Sequence, residues 1–315
     1  MCRVTRVMLL DSASLYFRAF YGVPDTVTAP DGMPVNAVRG FTDMVSTLIT
    51  RYRPTDFVAC LDYDWRPAFR VALLPSYKAH RVEYTTGSGT PDVEVVPDLL
   101  EPQVPVLLAV LKAAGLCSVG ADGFEADDVI ATLAHRYDER GVEVDVVSGD
   151  RDLIDLTTER VRVLYTGKGI SNIVAFTPEE VQAQYGVPAG HYADFAMLRG
   201  DPSDGLPGVA GIGAKTAATV VAQFGTIEQI VAAAKSGDKA MSSSVRVKVL
   251  ASLDYLAVAP AVVRGRLDVP VDELTTAIPA TPADPEMLAA LGERFGISSA
   301  MERLTTALAK VAGHG

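Results

Sequence analysis

The chain has little of what disulfide-bonded, zinc-binding or membrane proteins need. Its three cysteines (Cys2, Cys60 and Cys117) are an odd number and form no Cys-x-x-Cys pair, which argues against a disulfide framework and a thiolate zinc site. The apolar run Val7–Leu10 is too short for a signal peptide, and no stretch approaches the roughly 18 apolar residues of a membrane span. We therefore expect a cytoplasmic protein with reduced thiols.

Positive charge is also scarce, because 28 Lys and Arg face 39 Asp and Glu and give a net charge of −11 over 315 residues. Net charge governs solubility and steering, so an acidic chain can still bind nucleic acid through a local patch. Hydrophobic residues make up 49% and charged residues 21%, which excludes wholesale disorder. The length allows one large domain with an appendage, or two domains.

Short apolar runs alternate with longer segments of helical spacing in the first half of the chain, which predicts an α/β fold around a mostly parallel sheet. The predicted strands are 7–10, 57–61, 144–147 and 161–165, and the predicted helices between them are 35–50, 99–114 and 126–140. From about Thr177 onward we predict only helices, at 178–185, 189–198, 214–224, 227–235, 243–257 and 301–310. Residues 83–97 are expected to form a loop, and 260–285 to lie over the surface. We find no internal repeat.

Carboxylates cluster where the predicted strands end. Asp11, Asp62 and the pair Asp150 and Asp152 each follow a strand, at the edge where open α/β sheets place their sites. The motif GFEADDVIA opens a helix and GDPSDG forms a turn; they add Glu125, Asp127, Asp128, Asp201 and Asp204. Any one of these acids alone is more often a helix cap or a turn residue. Together they would repel one another unless a cation compensates, which favours a metal site.

The ligand chemistry narrows the choice of metal. All the clustered side chains offer oxygen, and the four histidines (His80, His135, His191 and His314) stand outside the clusters. Hard oxygen ligands suit Mg²⁺ or Mn²⁺, whereas zinc normally recruits histidine or cysteine. The sequence therefore predicts a magnesium or manganese centre.

A glycine-rich turn, LPGVAGIGAKTA, precedes one of the later helices. Its spacing matches neither a Walker A loop, because Ala214 intrudes before Lys215 and Thr216, nor a dinucleotide fingerprint. Gly208, Gly211 and Gly213 would let backbone N–H groups approach a phosphate at a helix N-terminus. We interpret the turn as a hairpin that grips a DNA backbone; a plain helix–helix turn is the alternative.

A basic strip lies in the acid-free stretch 65–82, next to Asp62. It contains Arg66, Arg70, Lys78 and Arg81, with Phe69 and Tyr77 between them. A short charge run is usually a solvated face. Its place beside a predicted metal ligand favours phosphate contact instead.

Five motifs in order resemble the 5′-nuclease domain of bacterial DNA polymerase I and the wider flap endonuclease family. They are DSASLYFRAF, LDYDWRPAFR with SYKAHR, GFEADDVIA, SGDRDL and RGDPSDGLPGVAGIGAKTA, and the match runs from about residue 7 to 290. The resemblance implies a PIN-like nuclease core at 1–178 with a helical arch at about 66–105. It also implies a helix–three-turn–helix unit at 179–315, with a hairpin at 203–217 and a C-terminal tail that packs back on the core.

The resemblance also assigns roles to single residues. Asp11, Asp62, Glu125 and Asp127 match the ligands of one metal; Asp128, Asp150, Asp152, Asp201 and Asp204 match those around a second metal or its water shell. Arg18 matches an arginine of the first motif; Arg70, Lys78 and Arg81 match the arch, with Lys78 near the scissile phosphate. A K⁺ ion held by backbone carbonyls would fall near Ser203, Val209 and Ile212. The pattern differs at Gly205, where relatives usually have Asn, and in an extra residue before Arg70.

The resulting hypothesis is two-metal hydrolysis of DNA at a 5′ flap, a nick or a free 5′ end, by a monomer associated with the nucleoid. Two other classes stay open as alternatives. One is a catalytically weak protein that binds branched DNA without cutting it, which loss of acids or of Lys78 would support. The other is a PIN-type RNase, which would be much shorter and have no hairpin.

Overall fold

Six strands form one sheet in the first half of the chain, in a computed structural model that describes residues 5–84 and 92–312. The strands of the described residues are β1 (Arg6–Asp11), β2 (Asp56–Cys60), β3 (Val82–Tyr84), β4 (Val93–Glu94), β5 (Cys117–Val119), β6 (Glu143–Ser148), β7 (Val161–Tyr165) and β8 (Val174–Phe176). The sheet order is β5-β2-β1-β6-β7-β8, and only β8 is antiparallel to its neighbour. The prediction of a mostly parallel α/β sheet is confirmed.

Helices cover both faces of this sheet and make up the second half of the described chain. The first are α1 (Ser12–Gly22), α2 (Asn36–Tyr52), α3 (Ala68–Leu73), α4 (Val104–Ala114), α5 (Ala126–Glu139), α6 (Pro178–Tyr185) and α7 (Tyr192–Arg199). The later ones are α8 (Ala214–Phe224), α9 (Ile227–Ser236), α10 (Ser243–Ala251), α11 (Leu253–Val263), α12 (Pro285–Arg294) and α13 (Ser298–Ala312). We call α6–α11 the helical unit.

The continuous apolar run of β1 reflects burial on both faces, as in other parallel sheets. Met8 and Leu10 face a core built with α1, α2, α4, α12 and α13, while Val7 and Leu9 face α5. Each such fully buried side chain contributes about 1.5–3 kcal/mol of hydrophobic free energy. The core on the α5 side continues without a break to Tyr192 in α7. The helical unit and the sheet therefore share one core.

Several predicted elements differ from the structure. The single helix predicted at 243–257 is two helices, α10 and α11, and α11 contains Pro260 in its last turn. The helix α12 was not predicted. Residues 264–284 do not simply lie over the surface, because Phe57 N donates to Thr276 O and Arg136 donates to Val269 O and Val271 O.

The helical arch predicted at 66–105 is only partly helical in the described residues. The segment holds the short helix α3, 3₁₀ turns at Ala79–Arg81 and Glu101–Gln103, the antiparallel pair β3 and β4, and the start of α4. Apolar and polar residues alternate at 82–84 and at 93–95, a pattern that favours strands over a helix. Residues 85–91 of the predicted loop, together with Cys2 and His314, lie outside the described residues. We keep the name arch segment for residues 66–105.

No single helix in the described ranges is long and apolar enough to cross a membrane. Only α8 and α9 reach the required length and composition together, and the chain bends by 84° between them.

Candidate active site

The carboxyl ends of the central strands bring the first predicted acids together. β1 and β6 pair in parallel, so Asp11 at the end of β1 lies beside the segment that follows β6. Ser148 Oγ donates a hydrogen bond to Asp11 Oδ2 at 2.5 Å and accepts one from Asp150 N at 2.9 Å. Asp11 also caps α1, because its Oδ1 accepts from Ser14 N at 3.0 Å. The serine thus joins two predicted ligands.

The start of α5 lies next to the end of β2, the strand beside β1. Asp62, which follows β2 and is exposed, accepts a hydrogen bond from Ala126 N at 2.6 Å, at the first turn of α5. Glu125 caps this turn and is 2% exposed. Tyr77 Oη donates to both Glu125 oxygens at 3.0 and 2.9 Å, and Lys78 Nζ lies 3.1 Å from Glu125 Oε1.

Burial disfavours the charged form of the carboxylates and is the largest cause of their raised pKa values, and repulsion between neighbouring carboxylates adds to it. Burial and Asp62 raise the pKa of Asp11 to about 7, although Ser148 and Ser14 oppose the shift. Burial raises the pKa of Glu125 to about 7 against the pull of Lys78 and Arg70. Burial, with Asp11 and Asp150, raises the pKa of Asp127 well above its ordinary value.

A second group of acids continues from the first. Burial, together with Asp150, Asp204 and Asp201, raises the pKa of Asp152 well above its ordinary value. Burial and Asp204 likewise raise the pKa of Asp150. Asp150 therefore interacts with both groups, one around Asp11 and the other around Asp204. Such an arrangement is costly unless cations offset it.

The donor set fits divalent cations with hard oxygen preference. No three acidic, histidine or cysteine side chains in the described part of the chain converge closely enough to form a ready chelate. Several acids face protein donors instead, as Asp201 does with Ser203 N at 2.9 Å and Arg199 Nη2 at 3.0 Å. Their carboxylate oxygens are the ligand type that Mg²⁺ and Mn²⁺ prefer.

Asp128 does not belong with these acids, contrary to the sequence prediction. It is fully buried, and its two oxygens accept four hydrogen bonds, from Arg70 Nη1 and Nη2 (2.7 Å each), Arg266 N (2.9 Å) and Glu125 N (3.3 Å). A carboxylate has about four lone-pair positions, so none is left for a metal. Arg70 is likewise buried and points away from solvent, so its predicted contact with substrate is also corrected.

The base of the arch segment rests directly on the GDPSDG turn. Lys78 N donates to Asp204 O at 3.1 Å, and Arg81 Nη2 lies 3.2 Å from Asp204 Oδ1. Lys78 itself adopts a left-handed conformation with φ of 48°. Arg81 Nη2 also donates to Ser203 O at 3.0 Å. That carbonyl accepts one hydrogen bond and keeps a second lone pair, so a K⁺ contact of Ser203 stays a prediction.

Gly205 is required by this close approach. Its φ is +71°, and a Cβ there would come within 2.1 Å of Ser76 O. We expect Gly205→Asn to lower the free energy of unfolding by about 1–3 kcal/mol, as overpacking does, and to slow cleavage by displacing Lys78. Thermal melting and single-turnover cleavage would measure both effects.

The matched control is Gly141→Asn, since Gly141 has φ of +72° and nothing within 4 Å of its Cβ. Equal effects of the two substitutions would mean that the left-handed backbone matters, and not the contact with Ser76.

Arg18 lies at the rim of the acid cluster. A Cβ on Gly149 would be 3.2 Å from Arg18 Nη2 and 2.7 Å from Ser14 Oγ. The absence of a side chain at Gly149 therefore leaves room for Arg18 and Ser14 next to Asp150. Arg18 Nε is buried and makes no hydrogen bond. Its contact with substrate stays a prediction.

Ser148 and Tyr77 hold Asp11 and Glu125 but were assigned no role from the sequence. Both lie inside the quoted motifs, SGDRDL and SYKAHR.

The glycine hairpin has one buried glycine and two exposed ones. Gly208 is buried, and a Cβ there would be 2.6 Å from Gly200 N, so it serves backbone packing and not the predicted DNA contact. Gly211 and Gly213 are exposed, and Gly213 begins α8 with nothing within 4 Å of a Cβ. Lys215 is exposed and Thr216 partly so; the Val209 carbonyl accepts from Ile212 N at 2.9 Å.

Comparison with known proteins agrees with the motifs. Residues 6–186 match the 5′-3′ exonuclease N-terminal resolvase-like domain, and residues 187–286 match the 5′-3′ exonuclease C-terminal SAM fold. The chain is 51% identical to a 5′-3′ exonuclease of Mycobacterium tuberculosis, over 98% of this chain and 99% of that protein. It is 44% identical to DNA polymerase I of Mycobacterium bovis, over 71% of this chain and 24% of the polymerase.

A solved structure shares the fold at low sequence identity. The bacteriophage T5 flap endonuclease, solved as a pseudo-enzyme–product complex with DNA and metal ions, has a TM-score of 0.63 at 17% identity. The similarity covers 98% of this chain and 99% of that one. Two adjoining domain matches span residues 6–286, and a relative matched over nearly its whole length is 51% identical, so this chain belongs to the 5′-3′ exonuclease family.

Proposed function

We propose that the chain is a metal-dependent 5′-nuclease that cuts DNA at 5′ flaps, nicks and free 5′ ends and leaves 5′-phosphates. The observation that carries the proposal is the pair of acid groups that meet at Asp150. Asp11, Asp62, Glu125 and Asp127 would hold one ion, and Asp150, Asp152, Asp201 and Asp204 would hold or orient a second. Mg²⁺ and Mn²⁺ both suit these ligands.

The side chains around the acids would orient the metal ligands and place a positive charge near the substrate. Divalent cations, when bound, activate the attacking water and stabilise the leaving 3′-oxygen. Ser148 and Tyr77 fix the orientation of Asp11 and Glu125 through the hydrogen bonds described above. Burial opposes the charge of Lys78, but Glu125 raises its pKa well above its ordinary value, so Lys78 is a permanent cation beside the acids. From there it can stabilise charge on the scissile phosphate.

Substrate choice would depend on DNA shape and a free 5′ end, because the exposed hairpin amides and Lys215 can address only the backbone. We propose that the protein acts as a monomer. A K⁺ ion at the hairpin would use the carbonyls of Ser203, Val209 and Ile212.

The rival is a protein of the same fold that binds branched DNA without cutting it. Loss of acids would favour this rival. With Asp128 set aside, the other eight predicted metal ligands are all present in the sequence. The deciding assay is a labelled 5′-flap DNA incubated with Mg²⁺, Mn²⁺ or excess EDTA. We expect cleavage with either ion and none with EDTA. Ligation of the products would test for the 5′-phosphate. Binding without cleavage under all conditions would support the rival, and cleavage in EDTA would contradict the metal requirement.

The hairpin gives a separate prediction about DNA binding. Gly213→Asp should weaken binding of duplex-containing flaps at least tenfold, because it puts negative charge at the exposed start of α8 where a phosphate would sit. Aspartate is a favourable N-cap and meets no atom there, so folding and metal affinity should be preserved. Fluorescence anisotropy at two salt concentrations and metal calorimetry would measure these effects.

Two controls separate charge from bulk and from position. Gly213→Ser adds a side chain without charge, and Gly190→Asp adds the same charge at an open, exposed position elsewhere in the helical unit. If Gly190→Asp weakens binding as much as Gly213→Asp, the hairpin is not the contact.

A further inference from the structure

Arg70 connects three parts of the molecule that are distant in sequence. It belongs to α3 in the arch segment, and its guanidinium forms a two-pronged ion pair with Asp128 in α5. Its Nε donates to Val262 O in α11 at 2.8 Å, and Nη1 lies 3.3 Å from Glu125 Oε2. One side chain thus joins the arch segment, the helix that carries predicted ligands and the end of the helical unit.

Asp128, the partner of Arg70, makes further contacts with the backbone of two other segments. In addition to Arg70, it accepts from the backbone of Arg266, directly after the helical unit, and from the backbone of Glu125. The Glu125 contact closes the first turn of α5, where the N-cap and third residue are tied together. The position of this turn, with Glu125 and Asp127, therefore depends on the arch segment and the helical unit.

Burial makes the pair rigid. Arg70 is 2% exposed and Asp128 is fully buried. Burial opposes the charge of Arg70, but Glu125 and Asp128 raise its pKa above its ordinary value, so it remains a cation. A planar guanidinium in a two-pronged contact also fixes orientation, which a lysine ammonium does not. Removing either partner would leave a buried charge without compensation.

We propose that Arg70 and Asp128 are a positioning pair that transmits the placement of the arch segment and helical unit to the ligand-bearing turn of α5. The pair would set metal affinity and cleavage rate without touching metal or DNA. This inference rests on the proposed function, since it takes Glu125 and Asp127 as metal ligands. Partners that orient metal ligands typically change metal affinity or activity about 10–100-fold when they are replaced.

The test compares this pair with a buried ion pair away from the site. Asp128→Asn and Arg70→Lys keep side-chain size while removing one charge or the planar fork. Asp145→Asn is the control, because Asp145 in β6 is fully buried and pairs with Arg6 at 2.9 Å and Arg162 at 2.6 Å. Thermal melting, metal calorimetry, flap affinity in EDTA and single-turnover rates would be measured for all three variants.

We expect Asp128→Asn and Asp145→Asn both to melt at lower temperature. Only Asp128→Asn should weaken metal binding and slow cleavage about 10–100-fold, with flap affinity within about threefold. Arg70→Lys should show the same defect to a smaller degree, and it serves as the test if Asp128→Asn does not fold.

Wild-type metal affinity and rate in folded Asp128→Asn or Arg70→Lys would overturn the proposal, and so would equal metal defects in Asp145→Asn. A wild-type protein that binds metal but cuts no flap would contradict the proposed function instead, while calorimetry would still decide the role of the pair.

Discussion

Asp150→Asn should reduce flap cleavage by about a thousandfold or more while leaving flap binding within a few-fold. Asp150 interacts with both acid groups, so its loss removes negative charge from both proposed ion positions. Metal ions contribute several kcal/mol to the stabilisation of such a transition state, and about 1.4 kcal/mol corresponds to a tenfold change in rate. Rapid-quench single-turnover assays at saturating protein would measure the rate, and anisotropy in EDTA would measure binding.

The substitution separates chemistry from folding. Asparagine keeps the oxygen that accepts from Asp152 N at 2.9 Å and removes a carboxylate from a repelling cluster. Without metal, the melting temperature should therefore stay the same or rise. Asp272→Asn is the control, because it removes one exposed acid distant from the site in sequence and should leave cleavage unchanged. A fully active Asp150→Asn protein would contradict the proposed metal centre.

Lys78→Met should lower the single-turnover rate about 10²–10³-fold, which corresponds to about 2.7–4 kcal/mol for a donor that acts on transition-state charge. The left-handed backbone at Lys78 is unusual for a residue other than glycine, and strain of this kind concentrates at functional sites. The fixed backbone places the ammonium beside Glu125. Methionine keeps most of the buried stem and removes the ammonium, whose Nζ lies 5.1 Å from the centre of the Tyr77 ring.

The competing interpretation is that Lys78 only neutralises Glu125. In that case metal affinity and melting temperature should change together with the rate, and the rate defect should disappear at saturating metal. Lys112→Met on α4 controls for the loss of one exposed cation. A rate defect that persists at saturating metal, with wild-type flap affinity, would support a direct action of Lys78 on the phosphate.

The alternation of short apolar runs with segments of helical spacing was enough to predict the α/β class, the four central strands and the sheet edge that carries the acids. These features depend on local patterns, because a buried parallel strand is a continuous apolar run and its end is marked by the first polar residue. The acidic ligand chemistry could also be predicted, since it depends only on residue type.

The roles of Arg70, Asp128 and Gly208 could not be predicted in this way. Each belongs to a motif, yet the roles of Arg70 and Asp128 depend on their pairing across 58 residues of sequence. The role of Gly208 depends on a close backbone contact with Gly200. Sequence shows that a carboxylate is available, but it does not show whether another cation has already occupied its lone pairs.

In the arch segment, too, some features could be predicted from the sequence and others could not. Its basic residues were evident from the sequence, but the helical form was implied by the resemblance, and the described residues also contain the strand pair β3 and β4. The sequence by itself determined the fold class, the acids and the candidate hairpin. Only the tertiary structure decided which charges are free to act and which are paired and buried, because that depends on the contacts formed when distant segments meet.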